Sequence, residues 1–369
     1  MKRFLIIFLT FSPVFLFSQK LYNAEFRLNS GFIAPHRIGM EGLAQKPAYG
    51  IDLCFFFDHG KNDFYDVKYN SPYTGYGIMW QNLGNPKVLG QSLTAYSFME
   101  FNFFQSHNLM LVARINGGLT YLTKAYNKID NPENIAIGTN VNFFFKLDLG
   151  LKYKMPHQPF TMRLSGGLVH FSNGSIKKPN LGLNHINFSL GMAYQLNQIE
   201  REASISKGNE KPEKRNEFTI MVSLVTADEY SVIPNGRGGG FLCSTGSLTY
   251  NYIYSKIGKV GVSADVFYNE NLYYWYDERG DTLVKVNETP SEIIRAGISI
   301  GHELVYKNIS LLSYIGVYYY NKVKPYDFMY SRFGIRYYVF NNFFINATIK
   351  AYGFKAHYIE SGIGFSFKK

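Results

Sequence analysis

A histidine and a serine stand two residues apart in His170-Phe171-Ser172, and twelve residues beyond Ser172 the chain reaches Asn184. A serine hydroxyl is a weak nucleophile until a positioned base removes its proton, and a histidine serves as that base once a third group orients its ring. On an extended strand the i, i+2 spacing puts imidazole and hydroxyl on one face. Their Cα atoms are then roughly 7 Å apart, a gap that the side chains close. The chemistry this trio supports is ester hydrolysis, with Ser172 as nucleophile, His170 as base and Asn184 as orienting group. An asparagine offers no full charge to an imidazolium, so its carbonyl oxygen must face the imidazole N–H. The opposite amide orientation would fix the wrong tautomer, which costs about 10⁴ in rate in the Ser-His-Asp template. Asn173, Gly174 and Asn180 are the candidates for oxyanion donors, a role typically worth about 10²- to 10³-fold.

The elements that must position these residues can be read from parity. From Phe160 onward the even positions are Met162, Leu164, Gly166, Leu168, His170 and Ser172, while the odd ones include Thr161, Arg163 and Ser165. On the returning segment Asn184, Ile186, Phe188, Leu190 and Met192 alternate with His185, Asn187 and Ser189. Period-two alternation predicts two strands with His170, Ser172 and Asn184 on the apolar face and His185 on the polar one. An ionisable side chain directed at lipid is costly, and is by default a functional hypothesis. The geometry implies a lipid substrate whose acyl chains stay in the bilayer, which avoids about 0.8 kcal/mol per extracted CH₂. The bland alternative is a strand end with polar residues at headgroup level, but chance supplies one such residue more readily than three.

An apolar face toward lipid requires a membrane barrel, and the rest of the chain agrees. Met1-Lys2-Arg3, an apolar run from Phe4 to Phe17 and Ser18-Gln19 have the layout of a secretory signal peptide, residues 1–18. That run is short of the roughly 20 residues a spanning helix needs, and no longer apolar stretch follows. With 17% aromatic and only 18% charged residues, the exported chain is too aromatic for an ordinary soluble domain. In lipid only helices or closed barrels satisfy every backbone group. The expectation is therefore an all-β, transmembrane, antiparallel up-and-down barrel in the bacterial outer membrane. Candidate strands lie near 21–34, 47–58, 74–82, 92–103, 108–119, 139–153, 160–172 and 185–196. A second set lies near 217–226, 240–254, 258–269, 292–305, 309–321, 328–339, 343–353 and 357–367. Between the sets, 198–216 reads as a charged periplasmic linker that separates residues 19–197 from 217–369. One barrel of about 14–16 strands is the favoured arrangement because no second signal or soluble domain intervenes. An eight-stranded barrel followed by a second strand-rich half is the alternative.

At His170-x-Ser172-Asn173 and Lys178-Pro179-Asn180-x-Gly182 the sequence resembles the lipid A 3-O-deacylase (PagL) family of acyloxyacyl hydrolases. The resemblance spans residues 90–197 and is strong over 168–186. It implies an eight-stranded outer-membrane barrel with a lipid-facing Ser-His-Glu triad that removes an acyl chain from the lipid A of lipopolysaccharide without a metal or other cofactor. Position 184 departs from that pattern, holding Asn184 where the family has Glu. There the chain looks like outer-membrane phospholipase A, whose Ser-His-Asn triad implies a phospholipid substrate, calcium and a homodimer. The Lys-Pro-Asn-x-Gly stretch favours the deacylase resemblance. A reading of another class is a structural or channel barrel without catalysis.

Other features invite weaker readings. Asn235-Gly236-Arg237-Gly238-Gly239-Gly240 lacks the β-α-β context of a phosphate loop and reads as a surface loop. His302-Glu303 and His357 with Glu360 hint at metal ligands, but charge pairing inside the barrel fits Glu360 better. The runs Phe55–Phe57, Phe143–Phe145, Tyr273–Trp275 and Tyr318–Tyr320 read as interfacial girdles. Cys54 and Cys243 read as core thiols rather than a disulfide. The formal charge of +11 suits anionic lipid phosphates; export argues against a nucleic-acid partner.

Overall fold

The computed structural model describes residues 20–58, 64–197, 212, 214–227, 240–277, 282–323, 328–352 and 355–369. The signal-peptide segment, the 235–239 part of the glycine-rich loop and most of the charged linker lie outside them. The chain divides into two compact units, each built on one barrel.

The first barrel comprises β1 (Lys20–Ile33), β2 (Ala48–Asp58), β3 (Tyr73–Asn82), β4 (Gln91–Ser106), β5 (Leu109–Leu122), β6 (Val141–Lys154), β7 (Phe160–Ser172) and β8 (Leu183–Gln195). Each strand pairs antiparallel with the next. Closure comes from β8 on β1, in register from Asn23 opposite Gln195 to Ile33 opposite His185. The second barrel comprises β9 (Asn216–Ala227), β10 (Phe241–Ser255) and β11 (Gly258–Asn269), then β14 (Ile294–Tyr306), β15 (Ile309–Asn321), β16 (Met329–Tyr338), β17 (Phe343–Tyr352) and β18 (Lys355–Lys368). A two-stranded hairpin, β12 (Tyr274–Asp277) and β13 (Thr282–Lys285), interrupts it between β11 and β14. Here β18 pairs with β9 to close the cylinder.

The favoured single barrel of 14–16 strands is thus corrected. Two closed eight-stranded barrels stand in its place, because β8 turns back onto β1 and leaves no free edge for β9 to extend. Closure removes edges altogether, which is what lipid demands of a strand-built span. Among the described residues no helix is long and apolar enough to cross a membrane. The two α-helices, α1 (Phe64–Lys68) and α2 (Pro290–Ile293), are single turns.

Parity behaves as alternation requires. In β7, Met162, Leu164 and Leu168 are exposed while Arg163, Ser165, Val169 and Phe171 are buried. The inward row of the first barrel carries Arg27, Arg114, Lys146, Lys152 and Arg163 against Glu25, Asp52, Glu100 and Asp148, all buried. Arg114 and Lys152 each reach Glu100 at 2.7 Å, Arg114 also reaches Glu25 at 3.1 Å, and Arg163 pairs with Glu100. Cys54 lies among these groups, bonded to the Tyr96 hydroxyl at 3.1 Å; Cys243 is likewise buried, and neither cysteine is in a disulfide. Glu360 pairs with Arg332 at 2.8 Å in the second barrel, as charge pairing predicted. Among the described residues no three His, Cys, Asp or Glu side chains converge as a metal cluster.

The aromatic runs need a correction. Phe56 and Phe144 are buried inside the first barrel, packed against Phe98, Tyr96 and Phe171. Phe145 (46% exposed) and Tyr319 (66%) face outward. A period of two must split any consecutive run between the faces.

One end of the first barrel carries the loops 34–47, 83–90, 123–140 and 173–182; the start of β1, the end of β8, the connection that contains α1 and the short turns 107–108 and 155–159 lie at the other. Met40, Leu43, Leu83, Val88, Leu89, Ala136 and Ile137 from the first three loops join Val169, Phe171 and Leu183 in one buried cluster. Buried asparagines tie those loops together. Asn85 donates to the Gly42 and Leu43 carbonyls, Asn131 to Val88 and Ala125, and Asn134 to Val88 and Lys124. The lumen is therefore charged in its middle and apolar at the loop end, directly behind the outward-facing ends of β7 and β8.

Candidate active site at the loop end of the first barrel

His170 and Ser172 close the outward row of β7, and Asn184 opens that of β8; all three are half-buried, unlike the exposed Leu168 below them. The register places His170 directly opposite Asn184 on one side and opposite Phe145 of β6 on the other. Ser172 lies opposite Phe143. Directly opposed residues in an antiparallel pair have Cβ atoms about 4.5–5.5 Å apart, close enough for side chains to bond.

They do bond. His170 Nδ1 and Asn184 Oδ1 are 2.7 Å apart. A carbonyl oxygen only accepts, so Nδ1 carries the proton and donates it to Asn184. The other ring nitrogen, Nε2, is left with its lone pair, which is the tautomer a general base needs. Asn184 thus presents the amide orientation that the chemistry required. His185, the next residue, is fully buried and points into the lumen, away from this group.

The loop after β7 meets the imidazole from the side. Gly182 has φ +79°, and a Cβ built on it would stand 2.7 Å from His170 Cε1 and 3.4 Å from Nε2. Only glycine fits both the left-handed backbone and the contact with the ring. Leu181 N–H donates to the Ile135 carbonyl at 3.3 Å and Gly182 N–H to the Ala136 carbonyl at 3.1 Å. Asn134, fully buried, accepts from Ile137 N–H at 3.2 Å and so holds that loop in place. On the outer side His36 Nε2 lies 3.1 Å from the Leu181 carbonyl and donates to it.

These contacts sort the oxyanion candidates. The N–H groups of Leu181 and Gly182 are committed to loop carbonyls. Asn173 is buried, at 1% exposure. Gly174 adopts φ +66° and Asn180 is half-buried. The contributions of His36, Asn134 and the 135–136 carbonyls had no sequence signal, since long-loop contacts follow no period. Gly182 was visible only as part of the Lys-Pro-Asn-x-Gly stretch.

Residues 55–193 match the family model described as lipid A 3-O-deacylase (PagL), and residues 216–369 match that of the acyloxyacyl hydrolase C-terminal domain. The chain belongs to the lipid A 3-O-deacylase family. It is accordingly an outer-membrane lipid A deacylase, a hydrolase carried on β-barrels. Among solved structures it is similar to the outer-membrane enzyme PagL, at 14% identity over 45% of this chain and 97% of that one, TM-score 0.32. It is also similar to Neisserial surface protein A, at 9% identity over 48% of this chain and 99% of the other, TM-score 0.31. No curated protein matches the chain.

Proposed function

We propose that the first barrel removes an ester-linked acyl chain from lipid A by serine-histidine hydrolysis, with Ser172 as nucleophile, His170 as base and Asn184 as the residue that orients the ring. The observation that carries this reading is the 2.7 Å bond between Nδ1 and the Asn184 carbonyl oxygen, on a face directed at lipid. Ser172 Oγ attacks the ester carbonyl carbon while Nε2 takes its proton. The tetrahedral intermediate expels the sugar oxygen, which receives that proton from His170, and the acyl group remains as an ester on Ser172. Water, deprotonated by the same nitrogen, then releases the fatty acid and restores the serine. The backbone N–H groups of Asn173 and Gly174, with the Asn180 amide, are the donors proposed for the oxyanion. Neither step uses a metal. The substrate enters sideways from the leaflet at the loop end, which in the outer membrane is the outer, lipopolysaccharide-bearing one.

The test is purified protein incubated with lipid A and, separately, with phospholipid, fatty acid release being followed by mass spectrometry. Ser172→Ala should lower release from lipid A by at least about 10³-fold, since losing the nucleophile of such a unit removes most of its rate. Release unchanged by Ser172→Ala would falsify the nucleophile assignment and favour a non-catalytic barrel for this face. The asparagine at position 184 favours a second reading, phospholipase A chemistry. Phospholipid hydrolysis that needs calcium would support it, whereas lipid A hydrolysis that continues in chelator excludes it.

A further inference from the structure

We propose that the second barrel holds the polar region of a glycerophospholipid on its lipid-facing surface, at a site made by His302, Ser313 and Tyr254. His302 belongs to the outward row of β14, between the exposed Ile300 (66%) and Leu304 (44%). Ser313 stands directly opposite it on β15, between the exposed Leu311 and Ile315. The pair therefore interrupts the apolar band with hydrocarbon-facing residues both above and below. A girdle position at the edge of the band would not look like this. A histidine in such a place is expensive and asks for a partner.

Part of that partner is built in. Tyr254, on β10, sends its side chain across β11 to bring its hydroxyl 2.7 Å from His302 Nε2. The crossing is possible because residue 258 is glycine: a Cβ there would lie 2.0 Å from the Tyr254 hydroxyl oxygen. Whichever group donates, one donor is left over. If the tyrosine donates to Nε2, the imidazole keeps an outward Nδ1–H; if Nε2–H donates to the tyrosine, the phenol keeps its O–H. Ser313 adds a hydroxyl. In a water-free layer such donors must be met by acceptors. The ester carbonyl oxygens of a glycerophospholipid, which border the hydrocarbon, are the lipid acceptors nearest to it. The nearest turns carry Lys256 and Lys307 and are joined by a Val305 N–H to Ile257 carbonyl bond of 2.9 Å. The Lys307 ammonium lies 5.2 Å from the centre of the Tyr306 ring. The fit is to a phospholipid whose ester carbonyls meet His302 and Ser313.

The experiment reconstitutes the full chain in vesicles of phosphatidylethanolamine and phosphatidylglycerol, extracts it in mild detergent and weighs retained lipid by native mass spectrometry. The parent protein should carry a bound phospholipid. The double variant His302→Phe, Ser313→Ala should lose it about tenfold, the worth of one to two hydrogen bonds. Gly258→Ala, which obstructs the Tyr254 crossing and leaves both other residues in place, should do the same. Heat-dependent gel migration shows whether each variant is still a closed barrel. Equal lipid retention in the closed-barrel variants overturns the proposal. So does fatty acid release by Ser172→Ala protein that disappears on adding Ser313→Ala, because the pair would then be hydrolytic.

Discussion

Asn184 makes the histidine useful by holding one proton on Nδ1. A carboxylate would do this and also stabilise the imidazolium formed as Ser172 attacks. Asn184→Asp should therefore hydrolyse lipid A at least as fast as the parent protein. Asn184→Leu leaves Nδ1–H without its acceptor and frees the ring to rotate or change tautomer. Its kcat should fall by between about 10² and 10⁴. Both rates come from fatty acid release, and equal rates in the two variants would show that residue 184 does not orient the base. Gly182→Ala tests the ring from its other edge. The added methyl must displace either the imidazole or the loop, and a misplacement of about 1 Å costs on the order of 10² in rate. Activity should fall that far while the barrel stays closed on heat-dependent gel migration. The alternating row from Met162 to Ser172 made His170 and Ser172 legible in the sequence as outward neighbours, because parity survives small errors in strand ends. The Leu181–Gly182 backbone was not legible in the same way, since its partners come from a loop some 45 positions earlier in the chain.

At the scale of strands, alternation located all sixteen barrel strands to within a few residues, yet it misread the consecutive aromatics Phe55–Phe57 and Phe143–Phe145, whose middle members Phe56 and Phe144 turn inward. It also missed the hairpin β12–β13, four residues per strand, which is too short to display a period. The inward rows place β1, β4, β5, β6 and β7 under a common electrostatic constraint. Glu100 of β4 accepts Arg114 of β5, Lys152 of β6 and Arg163 of β7, all buried. A lattice of this kind contributes little over an apolar filling, but removing one partner leaves uncompensated charges at a cost of about 3–5 kcal/mol. Glu100→Gln keeps the shape and removes the charge that three cations share. It should lower the stability of the first barrel by roughly that amount, read from the urea dependence of its folding in vesicles. Its kcat should change little in molecules that remain folded, because the lattice lies well below the outward trio. A large loss of kcat with unchanged stability would instead couple the lattice to the site.

For the whole molecule, the decisive feature is where the sheets close. Nothing in alternation distinguishes one cylinder of sixteen strands from two of eight, since outward and inward rows look alike in both. Pairing of β8 with β1 settles it, and has an energetic consequence. All eight strands of the first barrel satisfy their backbone groups within residues 20–195, so none of its span depends on a strand from the second. His170, Ser172 and Asn184, together with the loops that hold Gly182, lie in that same stretch. A chain truncated after residue 207 should therefore insert as a heat-modifiable barrel. If the proposed triad acts alone, it should release fatty acid from lipid A at a rate within about tenfold of the full chain, a difference of some 1.4 kcal/mol in barrier. A closed but inactive truncated barrel would mean that the C-terminal barrel takes part in deacylation itself. A truncated chain that fails to close would mean that it is needed for folding. Native mass spectrometry of the same two proteins separates these roles from lipid binding, since only the full chain contains His302 and Ser313.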